Sequence, residues 1–412
     1  MSNGSCGRLA AMGAAAILLA AVALPAWADG PALEPIKTVE IGKNRQFIVN
    51  GKAFFPIMSW AQSPKTYATL AEVGMNTHVG SADPKAAQAA GCYAVPGFKA
   101  DLAKEPFLLG WIHGDEPDMP KKKDPNFPTA PIAPRRTAEE LAATYQKIKD
   151  ADKAHPVFVT FTGAFTKEDT KYDAATRARL YPAFVQSADV VGFDIYPIYG
   201  SGYAGHLDWV AKGVTQLRDL APKKPLYAWI ETSKGSQWMT YEKQPDVLPI
   251  HTRNEVWQAV IRGATAIGYF THVWKPSFKE FGATAEMQQE LKRLNAQLTR
   301  LAPAILADPA AAKIVMKLPA DGTDLNCHFK ATQLDGATYI FAQNIDLGPG
   351  AEKAKQFDPI HPRGGKATIS VGGLKAGTKV EVVDEERTIT AEDGKFSDPF
   401  DALAEHIYKI KM

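Results

Sequence analysis

The chain is poor in cysteine, close to neutral, and has no long apolar run beyond its first 28 residues. Only Cys6, Cys92 and Cys327 occur in 412 residues. Cys6 falls in the N-terminal leader. Cys92 and Cys327 fall far apart in different expected domains, so a disulfide framework is not expected. The formal net charge is +2, with both signs interspersed. The only basic run, Lys121-Lys122-Lys123, sits in a proline-rich loop and reads as solvated. Nucleic acid is therefore not an expected partner. After residue 28 no stretch approaches the roughly 18 apolar residues of a membrane span, so no membrane is expected either. No internal repeat is present.

The first 28 residues read as a targeting segment. Arg8 supplies the charge, residues 9–24 an Ala/Leu-rich run too short for a span, and Ala26-Trp27-Ala28 a small-residue cleavage site before Asp29. An exported, soluble mature protein is expected, periplasmic or secreted. No cysteine follows the cleavage site to carry a lipid.

The chain is 45% hydrophobic and 22% charged, enough for one large core and a smaller one. Residues 39–48 alternate apolar and polar, and Asn50-Gly51 is a hairpin turn signal. Strand-like and helix-like periods then alternate. Eight strands are predicted, at 54–60, 75–79, 92–95, 108–112, 157–161, 190–196, 225–233 and 266–271. Helices are predicted near 64–73, 83–90, after the capping box Thr137-x-x-Glu140, through Leu207, Val210, Val214 and Leu217, near 254–263 and at 286–301. The fold class is α/β, a (β/α)8 barrel. The proline- and lysine-rich loop 117–136 is expected to wall one side of its mouth. From about residue 310, short alternating runs such as 338–343, 379–383 and 404–410 predict a small antiparallel β-sandwich. The expected division is 1–28 leader, 29–307 barrel with an N-terminal hairpin, and 308–412 sandwich.

Chemistry concentrates at two strand tips, the face where such barrels build their active sites. The fourth strand breaks at Gly114 into Asp115-Glu116-Pro117-Asp118, and the seventh ends in Trp229-Ile230-Glu231. Glycoside hydrolysis needs one carboxyl group to protonate the leaving oxygen and a second to attack the anomeric carbon or activate water. Singly, Glu116 reads equally well as a turn cap and Glu231 as an ion-pair partner. Together, at strands on opposite sides of one mouth, they predict a catalytic pair facing each other across a sugar.

The strand order, with Gly114-Asp115-Glu116-Pro117 after the fourth and Trp229-Ile230-Glu231 at the seventh, resembles the clan A glycoside hydrolases over roughly residues 50–305. The resemblance implies a retaining barrel enzyme with Glu116 as acid/base and Glu231 as nucleophile, no cofactor, and a trailing sandwich as a common companion. It implies that Tyr196 holds the nucleophile by a hydrogen bond and that Trp274 is an aromatic platform under the sugar. The clan's Asn before the acid is Asp115 here, which still accepts a hydrogen bond but adds a negative charge beside the acid. That charge tends to raise the acid's pKa; Asp115 or Asp118 could share the task.

Trp60, Trp111, Trp229 and Trp238 add candidate faces for pyranose rings, with about half expected in the core. Asp194, on the opposite side of its strand from Phe193 and Ile195, is expected to face the lumen. His78, His113 and His272 would meet Asp194 at one mouth. Without a His-x-His pair at 55–58 they read as substrate ligands or as tuners of a carboxylate, not as a metal site. The expected function is an exported glycosidase with a carbohydrate substrate. The rivals are a glycan-binding barrel without turnover and a metal-dependent hydrolase.

Overall fold

The computed structural model describes Met1, residues 33–122 and residues 132–411. The expected leader and Lys123 lie outside the described residues, apart from Met1. The barrel strands are β1 (Ile57–Trp60), β2 (Thr77–Gly80), β3 (Tyr93–Pro96), β4 (Trp111–Ile112), β5 (Val157–Thr162), β6 (Val190–Asp194), β7 (Leu226–Glu231) and β8 (Ala266–Phe270). They pair in parallel in chain order, and β8 returns to β1. Single bridges between Ala94 and Leu108, and between Gly97 and Ile112, bring β3 to β4.

Around the ring lie α1 (Tyr67–Glu72), α2 (Pro84–Ala89), α3 (Ala138–Ala151), α4 (Ala174–Phe184), α5 (Trp209–Leu220), α6 (Pro249–Arg262) and α7 (Ala285–Ile305). The capping box opens α3 as its spacing predicts: Thr137 Oγ1 accepts from Glu140 N at 3.2 Å and Glu140 returns to Thr137 N at 2.9 Å. The sequence pattern predicts no helix at α4. That helix shows little one-sided apolar pattern, has Pro182 inside it, and buries only Leu180, Tyr181 and Phe184. Between β3 and β4 only the short turn Ala100–Leu102 stands where a barrel helix would be.

The lumen is packed with aromatic rings. Tyr227 and Trp229 point inward, and Tyr227 Oη and Trp229 Nε1 meet Thr160 Oγ1 at 2.8 and 3.1 Å. Two glycines make room for them. A Cβ on Gly192 would overlap the Tyr227 ring, and one on Gly268 the Trp229 ring. The N-terminal hairpin (Val39–Ile41, Phe47–Val49, Lys52–Phe54) seals the bottom, with Phe47 stacked 5.7 Å from Phe158.

The C-terminal part is two facing antiparallel sheets. A six-stranded sheet contains the long strands Cys327–Leu334, Ala337–Asn344 and Glu405–Lys411, and a three-stranded sheet joins Ile314–Lys317, Gly365–Val371 and Lys395–Phe400. Ile340, Ile369, Val380, Phe396 and Tyr408 fill the space between them. The outer face of the larger sheet packs on the barrel, where Phe341 stacks on Trp257 of α6 at 5.9 Å. No described helix is long and apolar enough to cross a membrane. Cys92 and Cys327 are both free.

Candidate active site

The turn and arm after β4 shape the mouth. Asp118, fully buried, accepts from Thr162 N (3.0 Å), Thr162 Oγ1 (2.8 Å) and Tyr181 Oη (2.7 Å), which pins the chain to the tip of β5. Met119 N bonds Glu116 O at 3.0 Å, closing a turn in which Glu116 takes φ +46°. A side chain in that left-handed region is strained, and such strain concentrates at functional positions. The stems of the 117–136 loop form an antiparallel arm: Lys121 N bonds Ala133 O and Arg135 N bonds Met119 O, both at 2.8 Å. The tip of that loop, 123–131, lies outside the described residues. From the arm, Arg135 donates to Asp115 O at 2.6 Å and to Glu116 Oε2 at 3.3 Å.

Glu116 is thereby presented, partly exposed, against Asp194. Gly192 faces the lumen, so Asp194 two residues on does too, and register sets it between Thr162 and Trp229. Asp194 Oδ1 is buried with no N–H or hydroxyl donor, and the carboxyl group meets that of Glu116. Two carboxyl groups in contact form a hydrogen bond only when one carries a proton. Burial, and then the charges of Glu116 and Asp115, push the Asp194 pKa well above the carboxylate range. Asp115, at the exposed rim, is raised to about 7 by the surrounding protein and by Glu116, and Asp118 to about 6 by burial. Asp115 and Glu116 thus converge on Asp194 at one side of the mouth, where burial and neighbouring carboxyl groups favour the protonated forms of Asp194 and Asp115. Trp60 sits 5.3 Å from Trp229 to form the floor, and Phe270 closes the far side.

Glu231 occupies a different setting. Its place at a strand tip predicts that it faces Glu116 across a sugar; the structure encloses it completely. β6 ends at Asp194, so residues 195–199 cross over the tip of β7. Ile198 N (2.9 Å) and Tyr199 N (2.5 Å) donate to the Glu231 carboxylate. Behind it stands Glu255 of α6, also fully buried and in hydrogen-bonding contact with it. Burial raises Glu231 to about 7 and Glu255 well above the usual range. The hydroxyl expected from Tyr196 is replaced here by backbone amides. Tyr196 instead packs 5.1 Å from Phe270, and Tyr199 5.4 Å from Phe270, roofing the tip of β7.

The three histidines do not come together. His78 stacks 3.7 Å from Tyr67 of α1, with Nδ1 2.7 Å from Ser59 Oγ, and burial lowers its pKa to about 3. His113 Nε2 bonds Ser187 O at 2.8 Å, away from the lumen. Both are core residues in this structure, not mouth ligands, because outward positions on their strands lie under the helices. His272 is buried beneath the rim, 3.3 Å from Gln62 Nε2 and stacked with Trp274 at 6.1 Å. Among the described residues no group of three or more His, Cys, Asp or Glu could hold a metal ion. Trp229 is floor and Trp274 is exposed at the rim, while Trp111 faces outward with Nε1 on Asp152 at 2.8 Å.

Sequence reasoning missed Arg135, Glu255 and Phe270. Glu255 left no clear signal, since it stands among Thr252, Arg253, Asn254 and Gln258 on α6; only the fold turns it, with Thr252, whose hydroxyl bonds Glu231 O at 2.8 Å, toward β7. A cavity of about 530 Å³ adjoins the mouth between the loops after β2 to β4 and α3, lined by Gly80, Gly97, Phe98, His113, Gly114 and Lys147 among others.

No family model and no curated protein matches the chain. Solved structures do. One titled "Glycoside hydrolase" superposes with a TM-score of 0.53 at 12% identity, over 91% of this chain and 96% of that one. An apo exo-carrageenase of GH42 from Bacteroides ovatus superposes with a TM-score of 0.52 at 11% identity, over 93% and 86%. At such identities the likeness is one of fold: the barrel and the sandwich after it are an architecture these proteins share with the chain.

Proposed function

We propose that the chain is an exported glycoside hydrolase acting on a glycan, with Glu116 as general acid/base. The observation that carries this reading is the placement of Glu116 against the buried Asp194 carboxyl group, above an aromatic floor in the mouth of a (β/α)8 barrel. A general acid must be protonated at the working pH, and a raised-pKa neighbour in contact keeps a proton at hand. Two carboxyl groups that touch cannot flank one glycosidic bond, so they serve one end of the reaction together. The second carboxylate is Glu231, as nucleophile of a double displacement. It meets the anomeric carbon once residues 196–199 lift from it, which frees the carboxylate from the amides of Ile198 and Tyr199. Glu116 then deprotonates the water that releases the glycosyl-enzyme. The fold likeness to glycoside hydrolases supports the class. Export rests on residues 1–28 and is checked by N-terminal sequencing of secreted protein, expected to begin at Asp29.

The test is sugar release from a panel of polysaccharides and aryl glycosides, with NMR of the anomer first formed. Glu116→Gln is expected to lose roughly 10²–10⁴-fold in rate, Glu231→Gln to be inactive, and the product to retain configuration. An active Glu231→Gln enzyme would make Glu231 an anchor of the loop and overturn its role as nucleophile. The enclosure of Glu231 also favours a second reading, a barrel that binds glycan without turnover. Wild-type binding with no hydrolysis anywhere on the panel would establish that one.

A further inference from the structure

Three aromatic side chains stand among the large hydrophobic groups exposed in the described residues: Trp238, Trp274 and Phe278. All three lie on the loops after β7 and β8, on the rim of the mouth. The loops are tied together. Trp274 N and Lys275 N both donate to Gly235 O (2.8 and 3.1 Å), Lys275 Nζ reaches Met239 O at 2.7 Å, and Val273 and Lys279 exchange two backbone bonds. The rings are thus held on a fixed scaffold. They also form one path. From Trp238 it runs to Tyr199 (5.9 Å), Phe270 (5.4 Å), His272 (5.1 Å), Trp274 (6.1 Å) and Phe278 (4.9 Å).

Leaving Trp238 58% and Phe278 53% exposed forgoes burial that large aromatics normally obtain. Three side chains fall far short of the roughly 800 Å² per partner of a stable protein interface. In the chain they are flanked by the polar residues Gln237, Ser277 and Lys279. Flat rings with polar groups at their edges match a pyranose, whose C–H face is apolar and whose hydroxyls point outward. The path passes the mouth at Phe270; Tyr199 and His272 within it are buried, and Trp238 stands exposed at one end with Trp274 and Phe278 exposed at the other. Whichever of Asp115, Glu116 and Asp194 ionise repel an anionic chain, and the cation beside them, Arg135, is already paired with Glu116.

We propose that Trp238 and Phe278 bind successive pyranose units of an uncharged glycan chain beyond the sugar held in the mouth, so that the substrate is a polymer or long oligomer. This rests on the glycosidase reading for the identity of the mouth, while the binding itself does not require turnover. The experiment is affinity electrophoresis of the Glu116→Gln protein in gels containing neutral polysaccharides (xylan, galactomannan, mixed-linkage glucan, laminarin) or anionic ones (alginate, carboxymethylcellulose). Retardation is expected in at least one neutral polysaccharide. Trp238→Ala and Phe278→Ala should each weaken it roughly three- to tenfold, with partial rescue by Trp238→Tyr. Val315→Ala, exposed on the sandwich, should not change it. Retardation by anionic chains only, or in neutral chains but unchanged in both ring variants, would overturn the proposal, as would retardation by none. Ring-dependent retardation with a wild-type enzyme that hydrolyses nothing would sustain the binding rail and remove the glycosidase reading. Hydrolysis of a polymer with KM unchanged in both ring variants would do the reverse.

Discussion

Replacing Glu255 by Gln tests whether the enclosed pair at the tip of β7 shares a proton. In the unfolded chain both glutamates ionise near pH 4.3. In the folded chain burial holds Glu231 up to about 7 and Glu255 higher, so between those limits the native state binds more protons than the unfolded state. Stability contributed by the pair is therefore fully present at acid pH and is lost as pH rises through 7. One carboxyl group displaced this far corresponds to about 4 kcal/mol across the window. A glutamine at 255 carries no charge at any pH and donates an N–H to Glu231, which then ionises with three donors and no like-charged neighbour. Wild type and variant should have similar Tm values at pH 5. At pH 8 the variant should be the more stable by about 1–3 kcal/mol. For a chain of this size that is about 1–4 °C, since unfolding entropy scales with length. The readout is the difference in Tm between the two proteins in scans at pH 5, 6, 7 and 8. Asp115, Asp118 and Glu405 (raised to about 7, 6 and 7) titrate in the same window in both proteins and cancel in that difference. A difference that stays flat with pH would refute the shared proton.

Asp118→Asn puts an amide N–H₂ where three donors converge; it should cost about 1–3 kcal/mol in chemical denaturation. Because the Glu116 turn is then looser, it should lower kcat more than it raises KM on whichever glycan is hydrolysed. Gly268→Ala drives a Cβ into the Trp229 ring; roughly 1–3 kcal/mol of overpacking should appear as a lower Tm, with a changed tryptophan emission spectrum. Asn254→Ala removes the side-chain bonds to Asn344 O (3.3 Å) and Leu403 O (3.0 Å) and the acceptor for Gln258 Nε2 (2.8 Å). It should cost about 2–4 kcal/mol, and urea unfolding should then show the sandwich signal separating from the barrel signal.

The barrel was legible because parallel strands buried on both faces read as unbroken apolar runs, and most of these runs stop at a tip marked by glycine or acid, as at Gly80, Gly114, Asp194 and Glu231. Runs such as Val190–Asp194 and Ala266–Phe270 could hardly be mistaken, and the lumen-facing side of Asp194 came from strand alternation alone. Helix α4 was hidden because its burial falls at one end rather than along a stripe. The site was legible only up to the point where each strand ends. Glu116 emerged from local sequence, since the acidic turn is self-contained. Glu231 looked equally open, but it is covered by a segment more than thirty residues upstream, displaced over β7 because β6 stops two residues earlier than its apolar run implies. His78 failed for a related reason: its strand position is ordinary, and only the fold brings the Tyr67 ring onto it. Distances between elements, not residue types, separate the two glutamates.

Helix α6 explains why a sandwich follows this barrel at all. Thr252 and Glu255 turn toward the tip of β7 and hold the backbone and carboxyl of Glu231, while Asn254 and Trp257, on the neighbouring face, carry the sandwich. Gln343 of the sandwich donates back to Asn254 O at 2.8 Å, and Gln258 Oε1 accepts from Ala211 N of α5 at 3.0 Å. The helix is therefore fixed from three sides, and nearly every residue from 252 to 261 is buried. A carboxyl group that must stay out of water beside another can keep its place only if the element supplying the neighbour cannot drift, because small shifts would admit water and ionise both. A helix facing solvent on its outer side would fray near its N-terminus, which is where Thr252 and Glu255 sit. Covering that side with a second hydrophobic layer removes the freedom to do so. The sandwich thus keeps rigid the wall behind β7, and its own loop holds the chain that follows residues 196–199, where Phe357 N bonds Gly202 O at 2.8 Å and Gln356 Nε2 bonds Ser201 O at 2.9 Å.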